Sequence, residues 1–199
     1  MKGEVREPRQ ERSIEKKKRI IQAGYELFSE VGYYGTNTAE IAKRAGVSTG
    51  IVYGYFQDKR DILLCVLEIY LANVFSPLEK LFDRIKERPD LNELVPLIID
   101  EVIKTHKNNT KIHEALHSLA SSDEAVGAKF IGLEDEITIQ FSAKLESLGI
   151  KTENMVEKVH FAMDIIQSFS HEYVFDKHDY IDYEKMREMV SETIINLFK

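Results

Sequence analysis

The sequence predicts an all-α protein of two domains. Apolar residues recur at the three-to-four-residue spacing of helices along most of the chain. Cap and stop signals divide that pattern at intervals, and no alternating run is long enough to make a strand. With 199 residues, 43% hydrophobic and 31% charged, the chain can bury a sizeable core.

Residues 1–12 are polar and charged around Pro8 and read as a disordered N-terminal arm. From Ser13, the positions Ile14, Ile20, Ile21, Tyr25, Phe28 and Val31 lie on helical spacing until Gly32 stops the helix. Asn37-x-x-Glu40 reads as a capping box that opens a short helix from Thr38 to Ala45, and Gly46 suits the left-handed residue that ends it. Ser48 stands where it would cap a third helix, Thr49 to Tyr55. Asp58 and Asp61 place two carboxylates at the start of a fourth, where the helix dipole favours negative charge. That helix is expected to kink or divide at Pro77 and to resume through Arg88. Further helices are expected over about 92–106, 112–120 and 124–148, the last stopped by Gly149. Another follows from about 152 to 175, and Asp182 caps a final one ending at Phe198.

The net charge of −7 argues against nucleic acid until it is divided. Residues 1–60 carry 12 basic and 8 acidic side chains, whereas the remainder is strongly acidic. Seven of the ten glycines precede residue 55, so composition marks the same boundary. The single Cys65 permits no internal disulfide and favours a reducing compartment. The longest purely apolar run, Ile62 to Leu67, is short for a bilayer, and the N-terminus has no apolar leader, so a cytoplasmic location is expected.

The stretch "IAKRAGVSTGIVYGYF", residues 41–56, gathers three glycines and three aromatics. Two short helices joined by Ala45-Gly46-Val47-Ser48 make a helix-turn-helix, with Ile41, Ala42, Val47 and Val52 spaced to form its small core. The second helix of such a unit enters the major groove. Thr49, Gly50, Tyr53 and Gly54 would then face DNA, with hydroxyls of Thr49, Tyr53 and Tyr55 for phosphates or bases. Ser48 opens that helix, and Lys59 just beyond it is suited to neutralise a phosphate. Thr36, Asn37 and Thr38 lie at the N-terminus of the other helix, where free N–H groups favour an anion. Phe56 reads as core. The run Lys16 to Arg19 adds positive charge beside this surface, and Arg6, Arg9 and Arg12 suit an arm along the minor groove.

These residues match a known pattern. Residues 20–63, "IIQAGYELFSEVGYYGTNTAEIAKRAGVSTGIVYGYFQDKRDIL", resemble the DNA-binding domain of TetR-family transcriptional repressors through "LFSEVGY", "IAKRAGVS", "YGYF" and the following "K..IL". The resemblance implies a homodimer that binds double-stranded operator DNA, and a helical C-terminal domain that binds a small molecule and dimerises. It places DNA contacts on Thr38, Thr49, Gly50, Tyr53, Tyr55 and Lys59. Ala39 and Gly54 stand where relatives carry larger side chains, so no operator sequence follows from it. The expected division is a head over 13–60 and a ligand-binding and dimerisation domain over 61–199. The regulator expected is a repressor released by a small, largely apolar effector, the alternative being a ligand-independent DNA-binding protein.

In the C-terminal part, His106, His117, Gln167 and His171 are the polar candidates for an effector site, with Phe130 and Met163 as apolar ones. The final two helices carry apolar residues on more than one face. Val159, Ala162, Ile166 and Phe169 in one, and Met186, Val190, Ile194 and Phe198 in the other, predict a dimer contact. His113-Glu114-Ala115-Leu116-His117 matches the zinc-hydrolase pattern HExxH. No sheet supports it and no third ligand stands out among Glu134, Asp135 and Glu136, so an enzyme is not expected. A metal-responsive alternative would have His106, His113 and His117 meet across neighbouring helices. No cofactor, metal or membrane partner is assigned.

Overall fold

The computed structural model describes residues 11–199, and among them every regular element is an α-helix. The helices are α1 (Glu11–Val31), α2 (Thr38–Ala45), α3 (Thr49–Tyr53), α4 (Lys59–Arg84) and α5 (Leu91–Asn108). They continue with α6 (Thr110–Ala120), α7 (Glu124–Ser147), α8 (Met155–Phe175) and α9 (Tyr183–Leu197). Most of the proposed N-terminal arm, including Arg6 and Arg9, lies outside the described residues; Glu11 and Arg12 already belong to α1.

The chain forms two compact units. The first takes in the described residues up to Ala72 together with Asn109–Ala128; the second is Asn73–Asn108 with Lys129–Lys199. Packing therefore gathers the first half of α4, all of α6 and the start of α7 with the N-terminal helices.

In the first unit, α1 packs on α2 and on α6. Phe28, Ile41, Val52, Ile62 and Leu63 are fully buried there. The approach of α1 to α4 depends on Gly24, where an added Cβ would lie 2.7 Å from Cγ2 of Ile62. By length and a mean hydropathy of 1.6, α4 could cross a bilayer. Its residues Ile62, Leu63, Val66 and Leu67 instead have no exposed surface, as in the core helix of a globular unit. The helix is not divided at Pro77: α4 is one helix with Pro77 inside it, and it ends at Arg84 rather than Arg88.

The second unit is built on α5, which packs against α8 and α9 while those two pack on each other. Val95, Ile99 and Ile103 of α5 share one core with Ile166 and Phe169 of α8 and Ile194 of α9. A smaller cluster joins Phe82, Leu145, Ile150, Met155 and Val159. This changes the expectation for the final two helices. Val159, Ala162, Ile166, Phe169 and Ile194 are buried inside the chain, and Met186, Val190 and Phe198 pack against the same cores. The extra apolar faces exist because α5 supplies another wall to be covered. The large apolar side chains left outward on these helices are Val156 and Phe161 of α8 and Met189 of α9.

Local signals set the boundaries. Asp182 accepts from the Lys185 N–H as the cap of α9, and Gly149, at φ +85°, ends α7. Asn154 takes the left-handed conformation at φ 53° before α8.

Candidate nucleic-acid interface

The helix-turn-helix is assembled from caps and ion pairs. The Asn37 carboxamide accepts from the N–H groups of Ala39 and Glu40, each at 3.0 Å, and the Glu40 carboxylate accepts from the Asn37 N–H at 3.1 Å. This is the capping box read from the sequence. At the other end of α2, Gly46 at φ 66° lets the Val47 N–H reach the Ala42 carbonyl at 3.0 Å. That six-to-one closure turns the chain into α3. Arg44 donates two hydrogen bonds to Glu30, at 2.9 and 2.8 Å, and holds α2 against α1. The same guanidinium keeps the Glu30 carboxyl below its ordinary pKa.

Three of the four residues expected to form the small core, Ile41, Ala42 and Val52, are buried, and Val47 is half-buried. Ser48 occupies the cap position of α3 with extended backbone, yet its hydroxyl makes no cap hydrogen bond. The third helix ends at Tyr53 rather than Tyr55. Gly54 and Tyr55 continue as a tight turn in which the Tyr55 N–H reaches the Val52 carbonyl at 3.0 Å. Phe56 is buried, as its reading as core requires.

The ten candidate DNA contacts separate by environment. Asn37, Ser48, Gly50, Tyr53 and Gly54 are exposed, and Thr38, Thr49, Tyr55 and Lys59 are half-buried. The hydroxyls of Thr38 and Tyr53 lie 3.4 Å apart, which brings the N-terminus of α2 and the end of α3 onto one surface. A Cβ added at Gly50 would meet only the Ser48 hydroxyl, at 4.0 Å, so the start of α3 is open to a close approach. Tyr55 is turned back: its hydroxyl lies 2.6 Å from that of Ser13 in α1. Thr36 is buried, and its hydroxyl donates to the Gly32 carbonyl at 2.9 Å. Lys59 donates to the carbonyls of Tyr33 and Thr36, at 2.7 and 2.8 Å. Its ammonium also sits over the Tyr33 ring, 4.1 Å from the centroid. Of the basic run in α1, Lys17 lies over the Phe56 ring at 5.8 Å.

One exposed aromatic close in sequence to these residues carried no expectation. Tyr34, in the turn between α1 and α2, is 76% exposed. The only signal for it is a pair of tyrosines between Gly32 and Gly35, in a segment that reads simply as a helix stop.

The effector candidates are distributed over both units. His106, Phe130, Met163, Gln167 and His171 belong to the second, and His117 to the first. The second unit brings His106 and His171 to the same ring: Phe175 lies 6.3 Å from the former and 4.8 Å from the latter. His106 is buried, with Nδ1 2.9 Å from the Val102 carbonyl. Burial, and then the neighbouring charge of His171, hold its pKa below the ordinary histidine value. Met163 accepts from the Thr138 hydroxyl at 3.5 Å; Phe130 and Gln167 are half-buried.

The HExxH residues differ in their surroundings. His113 is buried, with Nδ1 2.6 Å from the Tyr70 hydroxyl, and Glu114 and His117 are exposed. The two imidazoles lie 4.0 Å apart, face to tilted face. Among the described residues no three His, Cys, Asp or Glu side chains are gathered as a metal ion would require.

Comparison with known proteins gives one consistent answer. Residues 20–66 match the model of the bacterial regulatory proteins of the tetR family. The chain is 52% identical over 54 residues, 27% of its own length and 24% of the relative's, to the HTH-type transcriptional regulator HbdR of Aromatoleum sp. (strain CIB). It is 34% identical over 82 residues, 41% of each chain, to the fatty acid metabolism regulator protein of Bacillus subtilis (strain 168). These matches thus span well under half of the curated relatives. Similarity over the whole fold comes from a solved TetR-family regulator of Syntrophomonas wolfei, 25% identical with a TM-score of 0.65, covering 92% of this chain and 95% of that one.

Proposed function

We propose that this chain, whose residues 20–66 match the tetR family of bacterial regulatory proteins, is a homodimeric transcriptional repressor released from its operator by a small, largely apolar effector. The observation that carries the DNA-binding reading is the pairing of the half-buried Thr38 with the exposed Tyr53, their hydroxyls 3.4 Å apart, on a capped, ion-paired helix-turn-helix. At the start of α2 the N–H groups of Asn37, Ala39 and Glu40 are already taken by the capping box, which leaves the Thr38 and Tyr53 hydroxyls for phosphates and bases. In a two-fold dimer, two copies of α3 would enter successive major grooves about 34 Å apart. Residues 13–60 would be the DNA-binding part and 61–199 the regulatory part.

The dimer contact is assigned to the outer faces of α8 and α9, through Val156, Phe161 and Met189, which stay exposed among the described residues. The effector is assigned to the second unit, near His106 and His171 about Phe175, with Phe130, Met163 and Gln167 as further candidates. A neutral, buried imidazole beside an aromatic ring offers one polar anchor in apolar surroundings, which suits a molecule with a single polar end. The name of the Bacillus subtilis relative, a fatty acid metabolism regulator, agrees with such a molecule. A 100-fold loss of DNA affinity on binding would need a coupling of about 2.7 kcal/mol. The location follows as cytoplasmic, with the DNA.

The test has two arms. Selection from random duplexes by the purified chain should return one two-fold-symmetric sequence, which footprinting then maps. Ligands found by thermal shift are titrated with and without that duplex, and a true effector binds more weakly in its presence by the factor by which it weakens DNA binding. Failure to enrich any sequence removes the regulator reading. Ligands indifferent to DNA leave the ligand-independent alternative.

A further inference from the structure

Lys59 is the residue whose geometry departs most from a simple phosphate contact. An ammonium has three N–H donors. Two of them are spent on the carbonyls of Tyr33 and Thr36, at 2.7 and 2.8 Å, and the Tyr33 ring covers the cation at 4.1 Å. Those carbonyls converge because the chain between α1 and α2 folds tightly. Gly32 sits at φ +81°, the Thr36 N–H returns to the Tyr33 carbonyl at 3.3 Å, and the Thr36 hydroxyl returns to Gly32 at 2.9 Å. A Cβ added at Gly35 would lie 2.6 Å from the Val31 carbonyl oxygen, so the turn has no slack. The residue after Thr36 is Asn37, the cap of α2, and Thr38 follows with its outward hydroxyl.

Given that the protein binds DNA as proposed above, we infer that Lys59 is a positioning residue. It straps the first turn of α4 to the Tyr33–Thr36 turn, and so sets the direction in which the N-terminus of α2 meets the phosphates. Desolvation agrees with this seat, since burial holds the Lys59 pKa below the ordinary lysine value, opposite to what a solvent-facing phosphate ligand would show. A displacement of the start of α4 would then reach DNA along two routes, through the chain into α3 and through Lys59 into α2.

The roles separate in salt. A lysine that neutralises one phosphate contributes about 0.9 to the slope of log affinity against log salt concentration, and arginine replaces it well. A strap contributes nothing to the slope, and the larger planar guanidinium is expected to displace the tight turn that the compact ammonium holds. The experiment uses the full chain, a fluorescently labelled 30-base-pair duplex at several potassium chloride concentrations, and hydrogen exchange of the free protein. Lys59→Met and Lys59→Arg are both expected to weaken binding about tenfold with the wild-type slope, and to speed amide exchange at residues 36–40. Lys59→Gln, which keeps N–H donors without charge, should recover part of the affinity, and it serves if the methionine variant does not fold.

A slope reduced by about 0.9, full activity in Lys59→Arg and unchanged exchange would make Lys59 a phosphate ligand and overturn the inference. Faster exchange with wild-type affinity would overturn it too, because the strap would then be structural only. If the wild type binds no duplex, the DNA-binding reading fails, and the exchange at 36–40 alone decides whether the strap exists.

Discussion

Arg60 and Asp123 tie the first turn of α4 to the cap of α7. Arg60 Nη2 donates to Asp123 Oδ1 at 2.7 Å, and Nε donates to the other carboxylate oxygen. The same carboxylate caps α7 by accepting from the N–H groups of Ala125 and Val126, at 3.0 and 3.3 Å. The arginine, then the backbone donors, draw the Asp123 pKa down to about 2. A folded value below the unfolded one, about 3.9, means that the pair stabilises the protein above that range and that this contribution disappears as pH falls through about 2. Melting temperature followed from about pH 6 down to about pH 2 should fall more steeply for the wild type than for Asp123→Asn, which retains a capping oxygen without the charge. Parallel curves would deny the pair any role in stability.

On the recognition surface, Tyr53→Ala and Thr49→Ala should each weaken specific DNA binding by roughly 1–3 kcal/mol without loss of fold. Tyr53 is 54% exposed, so little core is lost with it. Footprints and circular dichroism on the same samples check both halves of the statement.

Two glycine-to-alanine changes should move stability in opposite directions. At Gly50 the added methyl enters open space, and the gain in helix propensity should stabilise the protein by up to about 1 kcal/mol while weakening DNA binding. At Gly24 the methyl meets Ile62 at 2.7 Å and overpacks the junction of α1 with α4, at a cost of about 1–3 kcal/mol. Urea unfolding of both variants gives the comparison. Equal shifts would mean that the α1–α4 junction yields freely.

The oligomer can be separated from the fold by choice of residue. Phe161→Glu and Met189→Glu change side chains that are 52% and 67% exposed and should shift a dimer toward monomer with unaltered helicity. Ile194→Glu buries a charge at a position only 3% exposed and should unfold the second unit instead. Sedimentation velocity and circular dichroism distinguish these outcomes. A dimer untouched by both surface changes would move the interface elsewhere.

What was legible in the sequence was whatever depends on a few neighbouring residues. Asn37 with Glu40, Gly46 and Asp182 announced their caps because a cap is a local hydrogen-bonding requirement. The grouping of small and hydroxyl-bearing residues around α3 likewise marked the candidate surface. Lys59 reads in sequence as a free cation, since the carbonyls that hold it belong to a turn 23 and 26 residues earlier and any residue type supplies a carbonyl. The apolar surplus of α8 and α9 was visible, but its use was not, because α5 approaches from a distant part of the chain to cover it. His113 reads in sequence as half of a zinc motif, whereas in the fold its Nδ1 faces the hydroxyl of Tyr70, 43 residues away.

The first unit is assembled from two separate stretches of chain. Tyr25 of α1 donates to Asn109 at 3.2 Å, and Lys111 donates to the Glu30 carbonyl, so α6 is fastened to the helix that opens the DNA-binding segment. Ile112 and Leu116 of α6 are completely buried. A chimera that grafts only the first sixty or so residues onto another regulator would leave α1 facing a foreign α6, with its polar ties unmatched. A graft that carries residues 109–128 along with the N-terminal segment preserves both the ties and the packing. In a modular exchange of DNA specificity, the transferable piece is therefore discontinuous.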